Sequence, residues 1–234
     1  MSLSYFKIHS ATIEITFKNA YTIWDKVGQF WSKINERWPD MKMVDGSPIT
    51  THFTLDKETE ISLELGKFRV TQYVGSNDLE KFEELCKDVI PLAQEIFNFG
   101  IYSRVGFRII SFRKFDSKEE TAEQFLKFGL LKIPSKKHFN IEGKIINPSY
   151  GYRWEDEHYG INLKMDAVSN TLNFEPPINL LQEIEPVKIE RNGIQLDVDY
   201  YSLKPIPHTK LSWKDWIGQT YQVIKRDLTF YVGG

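Results

Sequence analysis

Cysteine is almost missing from this chain: there is one, Cys86, in 234 residues. A single thiol forms no intrachain disulfide and cannot build a cysteine-based zinc or iron–sulfur site. Long apolar runs are also missing. No window approaches 18 uninterrupted apolar residues, so no transmembrane helix is expected. The first seven residues lack the basic stretch and apolar run of a signal peptide. The cytoplasm is therefore the expected compartment, and the unpaired thiol agrees with it. Excess charge of one sign is absent as well. Thirty Lys and Arg stand against thirty-two Asp and Glu, a net charge of −2, which argues against a chain devoted to neutralising a phosphate backbone. No low-complexity tract or long Gly/Ser linker interrupts the sequence. The usual catalytic signatures do not occur either: there is no glycine-rich phosphate loop, G-x-S-x-G elbow, H-E-x-x-H, EF-hand loop or kinase set.

What the chain does have is rings, 6 Trp, 11 Tyr and 16 Phe, within a composition 41% hydrophobic and 26% charged. A chain of this length buries roughly 70–75% of its unfolded surface and needs no staple. The first element is a strand, with Ile13, Ile15 and Phe17 alternating with Thr12, Glu14 and Thr16. The period then changes. Thr22 and Asp25 resemble a capping box, and Ile23, Val27, Phe30, Trp31, Ile34 and Trp38 form one helical stripe that Pro39 ends. Strand signals follow at 49–56, 60–65 and 68–74, with breaks near Asp56-Lys57 and Gly66-Lys67, a meander.

A second helix opens at Ser76 or Asn77. Leu79, Phe82, Leu85, Cys86, Val89, Ala93, Ile96 and Phe97 make its apolar side, Pro91 predicts a kink, and Gly100 is placed as the residue after its end. A long strand is expected over 101–115. Ser117 and Glu120 then cap a short helix ending near Gly129. The remaining strand signals are 150–155, 161–168, 171–175, 187–191 and 194–201, with Asn192-Gly193 as a type I′ hairpin turn. A final helix carries Trp213, Trp216, Ile217, Thr220, Ile224 and Leu228 on one side, capped by Ser212 and Asp215. Leu228 to Val232 either completes the core or serves a homomeric contact, the core being the first reading.

Helices and strands do not alternate one for one, so a parallel Rossmann or barrel architecture is disfavoured. The expectation is an α+β fold, a mostly antiparallel sheet with helices on one face, whose first half resembles an elaborated split β-α-β unit. We expect one domain over 1–234, the later strands extending the same sheet; two subdomains, 1–115 and 116–234, are the alternative.

Three places carry candidate chemistry. Arg104 and Arg108 project from one face of the 101–115 strand, about 13 Å apart at about 3.3 Å per residue. Gly106 leaves a notch between them, and Tyr102 and Phe112 flank the series, so a planar or anionic ligand would meet guanidinium and ring together. The competing reading pairs both arginines with acids such as Glu60 or Glu64, or takes Gly106 as the mark of a β-bulge. The second place is Glu155-Asp156-Glu157-His158, which would hold a divalent cation if joined by Asp166 or by Asp197 and Asp199. The plainer reading is a solvated hairpin loop. The third is the basic segment Lys132, Lys136, Lys137 and Lys144, a weak nucleic-acid footprint with only Phe139 for stacking. Cys86, in an apolar stripe, reads as a core residue. His9, His52, His138, His158 and His208 show no ligand spacing.

Ser103-Arg104-Val105-Gly106-Phe107-Arg108, following a long helix, resembles the T-R-V-G-L-R-Y-I-N type motif of a family of sporadically distributed bacterial proteins of unknown function. Ala11-Thr12-Ile13-Glu14-Ile15 is similar to that family's P-I-x-E opening, and the terminal amphipathic helix also fits. Ile109-Ile110-Ser111 departs from the motif. The resemblance implies a bacterial cytoplasmic origin and a single-chain fold, and it carries over no catalytic residue. The expected function is a non-catalytic ligand-binding or protein-interaction module, with Tyr102, Arg104 and Arg108 as ligand contacts and no cofactor or metal. Its expected partner is a small anionic ligand or a protein, a second copy of the chain included, rather than a membrane or a nucleic acid. The alternatives are a divalent-metal-assisted hydrolase on the acidic loop and, third, a nucleic-acid binder on the basic segment.

Overall fold

A computed structural model describes residues 5–18, 21–47, 50–55, 58–132, 137–138, 141–174 and 187–232, with the backbone alone at 137–138, 141–142, 171–174 and 187–190. The elements in chain order are β1 (Lys7–Thr16), α1 (Tyr21–Arg37), β2 (Lys42–Gly46), β3 (Thr50–Thr54), β4 (Thr59–Glu64), β5 (Lys67–Tyr73), α2 (Glu80–Phe97), β6 (Ile101–Tyr102), β7 (Arg104–Phe115) and α3 (Lys118–Leu126). There follow β8 (Lys137–His138), β9 (Ile141–Glu142), β10 (Ser149–Glu155), β11 (Tyr159–Phe174), β12 (Val187–Ser202), β13 (Ile206–Pro207) and α4 (Trp213–Val232). Nine strands form one antiparallel sheet in the order β10-β11-β12-β7-β1-β5-β4-β3-β2. The fold is α+β, and the sheet runs through both halves of the chain. At its centre β1 lies antiparallel between β5 and β7, and α2 connects those two strands, the split β-α-β arrangement.

The alternation of side chains divides the sheet into a dry and a wet face. Ile13, Phe107, Val70 and Ile61 fall in register across four strands and are fully buried. The helices cover this side. Phe30 of α1 packs against Phe53 and Phe68, Phe82 of α2 stacks on Phe107, and Trp216 of α4 meets the same Phe107. Each such ring pair adds about 0.5–1.5 kcal/mol beyond its buried area. α3 lies over β7, β11 and β12. Among the described residues no helix is long and apolar enough to cross a membrane.

Several sequence expectations are corrected. Asn192-Gly193 is no turn: it lies inside β12, opposite Ser169 and Val168, so 187–191 and 194–201 are one strand. Likewise 161–168 and 171–174 are one strand, β11. Gly193 is there for close approach. A Cβ at that position would come within 2.2 Å of Phe112 Cζ and 2.5 Å of the Arg113 carbonyl oxygen. Asn192 is buried, with its Oδ1 accepting from the Ser169 hydroxyl. The expected long strand breaks at Ser103, whose amide and hydroxyl both donate to the Thr16 carbonyl. α2 ends at Asn98, which takes the left-handed φ of 55°, and not at Gly100. Pro91 lies inside α2, where the sequence pattern places it. The turn proposed at Asp56-Lys57 and most of the basic segment around Lys136 and Phe139 lie outside the described residues.

Candidate functional site

The wet face of the sheet is built by the same alternation that buries the other. Glu14 on β1 stands opposite Gly106 on β7 and Arg69 on β5, and Thr12 stands opposite Arg108 and Thr71. On the other flank of β7, Asp199 is the register partner of Arg108. Four neighbouring strands therefore bring three arginines and two acids together, although 185 positions of the chain separate Glu14 from Asp199. They line an open depression of about 370 Å³ with Thr12, Thr71, Gly106 and Ile110.

Charge-assisted hydrogen bonds tie this set together. Arg69 donates to Glu14 at 2.6 Å and to Glu64 at 2.5 Å. Arg104 bridges Glu14 at 2.9 Å and Asp199 at 2.7 Å. Arg108 takes Asp197 bidentately, at 2.8 and 2.5 Å. Fork geometry of this kind holds both planes in place. The Thr12 and Thr71 hydroxyls bond each other at 3.0 Å on the floor.

The two acids that meet at Arg104 titrate in opposite directions. Burial raises the Glu14 carboxyl, but the hydrogen bond from Arg69 and the charges of Arg69, Arg104 and Lys67 outweigh it, so the net shift is downward. Asp199 moves up, because burial outweighs the attraction of Arg104 and Arg108 and the Glu14 charge adds to it. Arg108 is shifted up, chiefly by its hydrogen bond to Asp197. With half its side chain in solvent, it is the most exposed of the three guanidinium groups.

The sequence expectations for this site divide. Arg104 and Arg108 do share a face and a depression. Each is also paired with acids, but with Glu14, Asp199 and Asp197 rather than Glu60 or Glu64. Tyr102 does not join them. The break at Ser103 turns its side chain to the helix side, where it is 1% exposed, packs on Trp213 and donates its hydroxyl to Gln94 Oε1 at 2.5 Å. Burial pushes its phenol well up. The ring that meets Arg104 is Tyr201, 4.7 Å from the guanidinium carbon. The notch at Gly106 is filled from within, since a Cβ there would lie 2.7 Å from Arg104 Nη1. Phe112 stays on the wet face with Arg191 stacked above it at 4.3 Å.

Arg69 and Glu14 escaped the sequence reading. Their signal was present, because Lys67, Arg69 and Thr71 alternate with apolar residues as Thr12, Glu14 and Thr16 do. What was missing was the knowledge that these two strands are neighbours. The two segments that carry the bacterial-family resemblance, 11–15 and 103–108, are also adjacent strands, bonded through Glu14 and Arg104.

The acidic loop does not converge. Asp156 Oδ1 accepts from the amides of His158 and Tyr159, forming a turn between β10 and β11. Glu155 bonds Arg153 and the Tyr201 hydroxyl, and Asp166 bonds Lys164 and Ser149. Among the described residues no three His, Cys, Asp or Glu side chains are grouped to hold a metal ion. Asp197 and Asp199, the proposed additional ligands, are the arginine partners above. Cys86 is fully buried and burial raises its thiol, as a core residue requires.

A second cleft of about 390 Å³ lies at the end of β1, lined by Phe17, Lys18, Phe99, Gly100, Ile101, Ser103 and Pro205. Its walls are mainly apolar and the Ser103 hydroxyl is already committed to Thr16. The arginine depression has far more groups able to orient a polar ligand, and is the better candidate. No protein-family model and no curated protein matches the sequence.

Proposed function

We propose that the protein is a non-catalytic binding module whose ligand lies on the wet face of the sheet, over the Arg69, Arg104 and Arg108 depression. The observation that carries this reading is three guanidinium groups converging on one open hollow. Binding sites for small molecules are commonly about 300–1,000 Å³, and the 370 Å³ hollow falls in that range. Its lining has threonine hydroxyls for positioning, and its two carboxylates, Glu14 and Asp199, are both engaged by arginines, which favours binding over chemistry. The ligand class is a small polar anion. A carboxylate or phosphate would take Arg108 from Asp197, exchanging one charge-assisted pair for another. A cytoplasmic setting and a bacterial origin belong to the same proposal, resting on the lone thiol and on the family resemblance.

The test is thermal melting of the protein against inorganic phosphate, citrate and nucleoside phosphates, repeated with Arg108→Ala. A saturable rise in Tm with at least one anion, lost in the variant, is the expected result. No response to any of them, or an equal response in Arg108→Ala, removes the depression from consideration.

A further inference from the structure

The two edges of the nine-stranded sheet are not alike. At one edge, β2 is five residues long, carries Lys42 and Asp45, and is irregular between Met43 and Asp45. A short, charged, bulged strand is how proteins prevent an edge from pairing. At the other edge, β10 is seven residues long and pairs with β11 without any register shift. Its two charged side chains, Arg153 and Glu155, are bonded to each other and to Tyr201 on the wet face.

The helix side of this regular edge is aromatic. Tyr150, Tyr152 and Trp154 are in register with Met165, Leu163 and Ile161, which places all three on the covered face. Trp154 is nevertheless 68% exposed. The last turn of α4 reaches the same place, with Tyr231 and Tyr152 bonded through their hydroxyls and their rings 5.6 Å apart. Its neighbour Phe230 is 81% exposed, the most exposed large apolar side chain among the described residues. Isolated exposed apolar residues need no explanation, but a row of rings along an edge that no other strand covers among the described residues does.

We propose that β10 pairs antiparallel with β10 of a second copy about a two-fold axis through Tyr152, extending the sheet across the dimer. The strand is self-complementary in that register. Tyr152 meets the partner's Tyr152, and Tyr150 meets the partner's Trp154 on the aromatic side. On the wet side Gly151 faces the partner's Arg153, leaving room for the long side chain, and Ser149 faces the partner's Glu155. Aromatic cross-strand pairs are the more favourable kind, and no like charges oppose. The axis stands perpendicular to the sheet, so both helix layers lie on one side and both wet faces on the other. Phe230 and Tyr231 of each copy then lie beside the axis. The contact is isologous and closes at two copies.

Sedimentation equilibrium of the full chain tests the state, and cysteine cross-linking tests the register. The wild type is expected to dimerise, and Trp154→Glu, at an exposed position, to weaken the dimer at least tenfold while leaving Tm of the monomer unchanged. Chains carrying Tyr150→Cys mixed with chains carrying Trp154→Cys are expected to cross-link under mild oxidation. Trp154→Cys alone is not expected to, because its two copies would be about 14 Å apart along the strands, beyond disulfide reach. A wild type that stays monomeric at hundreds of micromolar overturns the proposal. So does a dimer undiminished by Trp154→Glu, or a Trp154→Cys chain that links to itself as readily as the mixture does.

Discussion

A methyl group at position 193 would sit 2.5 Å from the Arg113 carbonyl oxygen, a backbone atom that moves only if the strand moves. At Gly106 the nearest atom is the Arg104 guanidinium, the far end of a flexible side chain. The same substitution therefore has different consequences at the two positions. Gly193→Ala is expected to destabilise the protein by about 1–3 kcal/mol, as overpacked sites do, and Gly106→Ala by clearly less. Urea denaturation of both variants measures this, and equal losses would show that the crowding around position 193 relaxes freely. Gly193 also shows how a local signal is misread. Asn-Gly favours a tight turn when nothing else competes, yet here the buried Asn192 bonds Ser169 and the glycine admits the Phe112 ring. Tyr102 fails in the same way, because strand alternation assigns it to the arginine face only if residue 103 is regular.

Elements whose determinants are local emerge as the sequence indicates. In α3, Ser117 Oγ accepts from the Glu120 amide at 3.1 Å and Glu120 Oε2 accepts from the Asp116 amide at 3.1 Å. Both residues are legible as a capping pair, since the geometry needs only a short polar side chain three positions ahead. Ser117→Ala is expected to cost about 1 kcal/mol and Ser117→Asp to retain most of the stability. Chemical denaturation reads both, and a neutral alanine variant would mean that Glu120 alone holds the helix start. The apolar stripe of α2 is equally legible, from Phe82 through Phe97, all of it buried where it was expected. The strands are less so. β2 carries no apolar alternation that would announce it, with every residue exposed, and exists because β3 offers it an edge. The number of strands at 161–174 and 187–202 also depended on pairing, as each long strand is held by its neighbour along its full length.

At the scale of the whole molecule, the charged pairs from Glu64 through Arg69, Glu14, Arg104 and Asp199 link β4, β5, β1, β7 and β12 across the wet face. Glu14 is its hub, serving two arginines. Its carboxyl lies below its ordinary 4.5 in the fold, so its contribution is present above that value and is lost as pH falls through the folded one. Asp199, raised in the fold, acts in the opposite sense: it takes up its proton more readily folded than unfolded, which offsets part of the acid loss. Glu14→Gln is therefore expected to cost about 1–3 kcal/mol at pH 7, the value of a charge-assisted hydrogen bond, and the gap to wild type is expected to narrow at pH 3. Stability curves at the two pH values check this, and a gap that stays constant would locate the effect in packing instead of charge. The sequence by itself determined the α+β class, the helix stripes and the shared face of Arg104 and Arg108, because each follows from periodicity or capping over a few residues. Only the tertiary structure decided which acids those arginines meet, that Arg69 and Glu14 join them, that Tyr102 leaves them, and that β10 stands regular at the edge of the sheet among the described residues. Strand order sets all four, and strand order depends on how the whole dry face packs against the helices rather than on any segment alone.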